Sequence, residues 1–282
     1  VISGFVITAS LYQRPSKNFK DFISGFYERR IKRLVPALSV FVLIMSITIC
    51  LFNPKPEVSL KTGMFSLFGL SNLYLFKTST NYFAQSTELN VFTHTWSLGV
   101  EEQFYLLFPF LIWSSGFGRQ TKNGNRNLLL IVGSLAIISL IGFIYLYPIN
   151  QSAGYFLMPS RFWEMALGCL LFIALQKIKS IGKFLEKTPP IVVLALMIGI
   201  MYLPTTQARA ATLAIVTLTL ILITSLKKGT IAFKIFTHPK VVYIGLISYS
   251  LYLWHWGVLS ISRWTIGINL WTVTFQVILI FV

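Results

Sequence analysis

A charged side chain placed in an apolar stretch is costly, so such residues need a chemical reason. Four clusters carry them. In YERRIKRLVP (27–36), Arg29, Arg30, Lys32 and Arg33 stand where a basic segment meets an apolar run. Arg30 and Arg33 are three apart and share a helix face. Two guanidinium forks on one face suit a phosphorylated ligand. The same charges would also serve as a topology anchor on anionic lipid headgroups. In THTWSLGVEEQFYLLFP (93–109), Glu101 and Glu102 open an apolar span. Adjacent helical residues point about 100° apart, so one carboxylate is expected to face the interior. Glu101 shares its side with Leu98, Phe104 and Tyr105, and a buried carboxylate there is suited to act as a general base or to orient a histidine. The competing reading is a carboxylate that offsets the helix dipole behind a Ser97 cap, and this is the reading expected for Glu102.

The third cluster is PSRFWEMALG (159–168), where Arg161 and Glu164 are three apart. They read either as an intramembrane ion pair or as polarity facing a glycan. In the fourth, IGLISYSLYLWHWGV (244–258), His255 sits among Tyr249, Tyr252, Trp254 and Trp256. An interfacial aromatic belt explains those rings without function, while a polar residue among aromatics also makes a platform for sugar rings. There is no nucleophile elbow, glycine-rich phosphate loop or metal-ligand spacing. Cys50 and Cys169 lie in apolar sequence, and three histidines and the one aspartate, Asp21, leave no rich metal cluster; no metal is expected. These residues alone fit a transporter as well as an enzyme.

The elements that must hold these residues are membrane helices. Of 282 residues, 55% are hydrophobic and 11% charged, against about 25% charged in a soluble domain. Apolar stretches of a length able to cross about 30 Å of hydrocarbon recur. The expected spans are the tail of a helix at 1–12, then 34–52, 97–114, 128–147, 160–176, 189–204, 209–226, 241–259 and 269–282. In lipid their backbones must be satisfied internally, hence helices and an all-α polytopic bundle. Residues 58–76 hold Lys61, Gly63, Gly69 and Asn72 and read as a re-entrant or surface-lying segment. With that segment not crossing, the loops 13–33, 115–127, 177–188 and 227–240 share one side and hold 18 of the 24 Lys and Arg. The positive-inside rule makes that side cytoplasmic. The net charge of +16 is therefore topological, and nucleic acid is not an expected partner. Residues 13–33 read as an amphipathic helix on the inner leaflet, with Phe19, Phe22, Ile23, Phe26 and Tyr27 on one face.

FYERRIKRLVPAL, HTWSLGVEEQFYLLFP, RFWEMALG and GLISYSLYLWHW, in this order and spacing, resemble the acyltransferase 3 family of bacterial membrane O-acyltransferases. The likeness runs from residue 1 to about residue 258. It implies a ten-helix bundle in the bacterial cytoplasmic membrane. It also implies an acyl group, usually acetyl, moved from cytoplasmic acyl-CoA to a hydroxyl of lipopolysaccharide, exopolysaccharide or a related lipid-linked or cell-surface glycan. Acyl-CoA is then a co-substrate, no cofactor stays bound, and membrane lipids surround the chain. The resemblance assigns Arg30 and Arg33, with Arg29 beside them, to the CoA phosphates. It places Glu101, with Trp96 and Tyr105, near the transfer chamber. The residues' own chemistry adds His255 to Glu101 as a catalytic candidate, and Arg161, Glu164 and Trp254 as candidates for the acceptor chamber. In the family a first-helix histidine is held to be catalytic. The opening VISGFVIT looks like the second helix, so residues 1–282 are expected to be a single domain cut at both ends and inactive alone. Gly257, where relatives often carry proline, is expected to soften the end of its helix. An exporter and a non-catalytic scaffold remain the alternatives; an internal repeat would favour the exporter, and none is visible.

Overall fold

The computed structural model of the chain describes residues 1–14, 16, 18–78, 85–177 and 188–281. Most of the expected 177–188 loop lies outside the described residues. Among those described there are α-helices, one short 3-10 turn and no strand. The helices are α1 (Ile2–Tyr12), α2 (Phe19–Phe52), α3 (Glu57–Leu67), α4 (Ser71–Thr78), α5 (Gln85–Glu88), α6 (Thr95–Ser114), α7 (Gly124–Ile149), α8 (Gln151–Phe156), α9 (Met158–Lys177), α10 (Pro190–Met201), α11 (Ala208–Ser225), α12 (Ile231–Phe236), α13 (Pro239–Trp264) and α14 (Leu270–Phe281). The all-α polytopic reading holds. Five stretches are long and apolar enough to cross a membrane: Phe19–Phe52, Gly124–Ile149, Gln151–Lys177, Thr205–Ser225 and Pro239–Trp264.

Two features differ from the sequence reading. The surface helix and the following span are one continuous helix, α2, which carries Pro36 inside it. At 34 residues it is about 51 Å long, well beyond the roughly 30 Å hydrocarbon layer. The segment 58–76 is a broken pair of helices, parted where Gly69 takes φ +67°, a conformation glycine adopts without a steric penalty. Neither half is long enough to cross: 11 and 8 residues make only about 16 and 12 Å.

The chain divides into two compact units. The first holds Val1–Phe22, Leu107–Ile149 and Pro159–Tyr243. Within it, α1 packs closely on α9. A Cβ built on Gly4 would lie 1.9 Å from the Met165 carbonyl oxygen, and one on Gly168 would meet the Val1 carbonyl oxygen at 1.9 Å. Small residues let membrane helices pack backbone to backbone in this way. Phe5 and Phe172 close the same seam with ring centroids 5.5 Å apart.

The second unit holds Ile23–Leu106, Asn150–Met158 and Ile244–Val282. Its core is a stripe on α2, Leu38, Phe41, Val42, Met45 and Ile49, packed on Val91, Phe92, Leu98 and Leu253. The stripe follows the helical period. Leu43, Ile47 and Leu51, on the other side of α2, are exposed, as suits a lipid-facing surface. The expectation for Gly257 is corrected here. Helix α13 runs unbroken through it, and a Cβ there would lie 2.9 Å from Met45 Sδ and from the Phe41 ring. Gly257 brings α13 close to α2.

The α1–α9 seam makes a prediction. Gly4→Val meets a backbone oxygen that cannot rotate away and should cost about 1–3 kcal/mol of stability. Gly133→Ala, with nothing within 4 Å, should be neutral. Unfolding of detergent-solubilised variants measures both, and an undiminished Gly4→Val would contradict the packing.

Candidate active site

The residues singled out from sequence gather mainly in the second unit, on α2, α6 and α13. Arg30 leaves α2 with its guanidinium carbon 3.7 Å from the centroid of the Tyr105 ring. That distance is within cation–π range. The Tyr105 hydroxyl donates to Glu101 Oε2 at 2.7 Å. One tyrosine therefore touches an arginine with its face and a carboxylate with its edge. The Arg30 Nε is buried without a hydrogen-bond acceptor among the described residues. Arg33, on the same helix, is exposed, and Arg29 is half-buried. The two guanidinium forks thus do different work, one inward and one outward.

Glu101 is the seventh residue of α6, which has no acidic residue in its first turn. Dipole effects fade beyond that turn, so offsetting the helix dipole does not explain it. Ser97 does not act as the expected cap. Its hydroxyl pairs with the Tyr252 hydroxyl at 2.8 Å.

Glu102, expected to offset the helix dipole, also lies beyond the first turn of α6. Both carboxylates are half-buried, and Glu102 lies within electrostatic reach of Glu101 and Arg30. The room comes from Gly69: a Cβ there would come 2.3 Å from Glu102 Oε2. The next residue, Gln103, ties the broken helix pair to α6. Its Nε2 donates to the Gly69 carbonyl at 3.0 Å and to Asn72 Oδ1 at 2.8 Å. Asn72 Nδ2 in turn donates to the Phe156 carbonyl at 3.0 Å. Sequence reading missed this clip, although Asn72 was visible as a polar residue in an apolar segment.

Trp96 is buried, with its ring centroid 4.4 Å from that of Tyr155. Tyr155 sits on α8, whose start is capped by Asn150 accepting from the Ala153 N–H at 2.9 Å. Trp254 stands edge-on to Phe41 at 5.5 Å. Arg161 and Glu164 belong to the first unit. Arg161 Nε and Nη2 donate to the two Glu164 oxygens at 2.9 and 3.0 Å. The ion-pair reading describes them.

One face of α13 is a polar ladder at four-residue spacing. The Tyr252 hydroxyl donates to the His94 carbonyl. Trp256 Nε1 donates to the Asn90 carbonyl at 2.9 Å, the Ser260 hydroxyl to the Glu88 carbonyl at 3.1 Å, and Trp264 Nε1 to the Leu89 carbonyl at 3.0 Å. Trp256 and Tyr252 hold the turn that leads into α6, a use the aromatic-belt reading did not contain.

His94, which that reading also passed over, opens the second motif and is 5% exposed. Burial, the largest influence, pushes its pKa down to about 3, and the nearby His255 pushes the same way. Neither ring nitrogen has a hydrogen-bond partner of good geometry among the described residues, although the approach of the Leu253 backbone acts to raise the pKa. A buried polar group left so costs about 1–3 kcal/mol. No group of three metal-ligating side chains occurs among the described residues.

The family model described as an acyltransferase domain matches residues 1–282. The chain belongs to the acyltransferase 3 family. An O-acetyltransferase of Staphylococcus aureus strain COL, provisionally so named, is 30% identical over 279 residues, covering 92% of this chain and 45% of the relative. The O-acetyltransferase OatA of S. aureus strain NCTC 8325 / PS 47 is 28% identical over 274 residues, covering 92% of this chain and 44% of the relative. This acyltransferase-family chain therefore spans less than half the length of those relatives. No solved structure matches it. Family membership and the apolar helices make it a multi-pass membrane protein.

The two contacts of Tyr105 can be separated. Tyr105→Phe keeps the ring against Arg30 and releases Glu101, whereas Tyr105→Leu loses both. The Leu variant should be less stable than the Phe variant by about 0.5–2 kcal/mol, the worth of a cation–π contact between these limits of exposure. Equal melting of the two variants in detergent would contradict the Arg30 contact.

Proposed function

We propose that the full-length protein is an O-acyltransferase of the bacterial cytoplasmic membrane. It moves an acetyl group from cytoplasmic acyl-CoA to a hydroxyl of a lipid-linked or cell-surface glycan, such as O-antigen or exopolysaccharide. The observation that carries this reading is the Arg30–Tyr105–Glu101 contact. A cation suited to the donor's phosphates and a carboxylate suited to proton chemistry meet on one side chain, inside a member of an acyltransferase family. The names of the S. aureus relatives support the acetyl group.

In this reading the basic loops face the cytoplasm, and Arg33 with Arg29 receives the CoA phosphates at the membrane surface. Arg30 stands behind them and draws the donor toward the carboxylates. The acceptor oxygen forms a bond to the thioester carbonyl carbon and the carbon–sulfur bond breaks. The hydroxyl proton leaves to a histidine and then reaches the departing thiolate. Within these 282 residues His255 is the candidate base; a first-helix histidine is what the family resemblance adds. Glu101 positions the polar groups around the reacting centre, and Trp96 and Trp254 are assigned to the acceptor side. The bound states involve no resident cofactor and no metal.

The test uses sealed vesicles of known orientation carrying the full-length protein and labelled acetyl-CoA. Label should reach glycan only when acetyl-CoA is supplied on the side of the basic loops. Arg30→Ala should lose about 1.5–3 kcal/mol of transition-state binding for acetyl-CoA, roughly 10- to 150-fold in kcat/KM. Arg30→Lys should restore only part, since a point charge cannot reproduce a fork. Transfer from either side, or unchanged acetyl-CoA kinetics in Arg30→Ala, would overturn the proposal.

A further inference from the structure

His94 and His255 come from different motifs and different elements, yet their ring centroids lie 5.6 Å apart at an interplanar angle of 76°. The surrounding shell is aromatic. Phe41 of α2 lies 5.6 Å from the His94 ring, Tyr252 5.1 Å and Trp256 6.2 Å. Among the described residues, the titratable rings packed beside His94 are those of His255 and Tyr252, both on α13, and α2 contributes the Phe41 ring. His94 is buried and His255 half-buried, so a ligand would meet His255 first.

The hydrogen bonds assign protons. His255 Nδ1 lies 2.5 Å from the Tyr252 carbonyl oxygen. A carbonyl only accepts, so Nδ1 carries the proton of the neutral ring and Nε2 keeps its lone pair. His94, neutral in its apolar shell, has one N–H and one lone pair; neither nitrogen has a hydrogen-bond partner of good geometry among the described residues, and the Leu253 backbone beside the ring is the competitor a ligand would displace. The pair offers a donor from one ring and an acceptor from the other, which is the complement of an alcohol. Packing does not account for this arrangement, since a phenyl ring would fill the same space without unmet nitrogens.

We propose that His94 and His255 form a two-imidazole site for the acceptor hydroxyl, with His255 Nε2 receiving the hydroxyl proton and the His94 N–H holding the oxygen. This rests on the acyltransferase reading above and adds His94 to it. As the acceptor oxygen bonds to the thioester carbon and the carbon–sulfur bond breaks, the proton passes from oxygen to His255 Nε2. From there it goes to the departing thiolate, so no proton or electron pair is left over. His94 stays neutral throughout and orients the oxygen.

The experiment uses the full-length protein in membranes, labelled acetyl-CoA, and envelope polysaccharide from the producing cells as acceptor. His94→Phe keeps the aromatic volume, and His94→Gln keeps one donor and one acceptor. His94→Phe should melt no lower than the parent and lose transfer by roughly 100-fold, within the range of a general acid–base contribution. Its KM for acetyl-CoA should not change. His94→Gln should recover part of the rate. His94→Phe transferring at the parental rate overturns the proposal, and so does a loss that appears wholly as a raised acetyl-CoA KM. Should His94→Phe fail to fold, His94→Gln decides: reduced transfer at unchanged acetyl-CoA KM supports the site, and parental transfer overturns it. A parent protein that transfers no acetyl group overturns the acyltransferase reading, and this proposal with it.

Discussion

A guanidinium cannot shed its proton, so wherever it is drawn inward its charge must be met. Arg30 poses that constraint, and its neighbours on α6 answer it. The Tyr105 face takes the cation, the Tyr105 hydroxyl engages Glu101, and Glu102 comes within reach because Gly69 has no side chain to exclude it. The break at Gly69 leaves room for the Glu102 carboxylate beside it. The Gln103–Asn72 clip then fixes the broken pair against α6. These contacts form one chain of dependence from a glycine φ angle to the disposition of the charged groups.

The other support is α13. Its ladder of Tyr252, Trp256, Ser260 and Trp264 satisfies carbonyls of an irregular turn that would otherwise be left bare in an apolar surrounding. Buried backbone carbonyls need hydrogen-bond partners. The ladder therefore both permits the turn at 88–94 and sets where α6 begins. The position of α6 decides where Glu101 and Tyr105 stand. The aromatic residues of the fourth motif act first as hydrogen-bond donors and only then as a surface.

Much of this was legible in the sequence because membrane helices announce themselves by length and apolarity. The spans at 128–147 and 241–259 lie inside α7 and α13, and the shortage of charge made each remaining charge a suspect. Arg30 and Glu101 stood out that way, and the structure brings both to Tyr105. What was not legible depended on contacts between distant elements. The inward place of Glu102 is set by Gly69, thirty-three positions earlier. His94 was hidden because nothing local distinguishes it, and only folding brings it to His255. Gly257 was misjudged because its role lies in the Met45 and Phe41 side chains it faces and has no signature in its own segment. The charge of each loop was readable, but the continuity of α2 through Pro36 was not, since proline usually ends or kinks a helix.

The central claim is that Arg30, Tyr105 and Glu101 act as one unit linking donor binding to the carboxylate. A double-mutant cycle on acetyl transfer, with Arg30→Ala and Glu101→Gln made singly and together in the full-length protein, tests it most directly. Residues of one network show coupling of about 0.5–3 kcal/mol, whereas independent sites add within roughly 0.5 kcal/mol. The structure predicts strong coupling, with the double variant little worse than the more damaged single variant. Additive losses in well-folded protein would contradict it and leave Arg30 and Glu101 as separate neighbours on either side of a tyrosine.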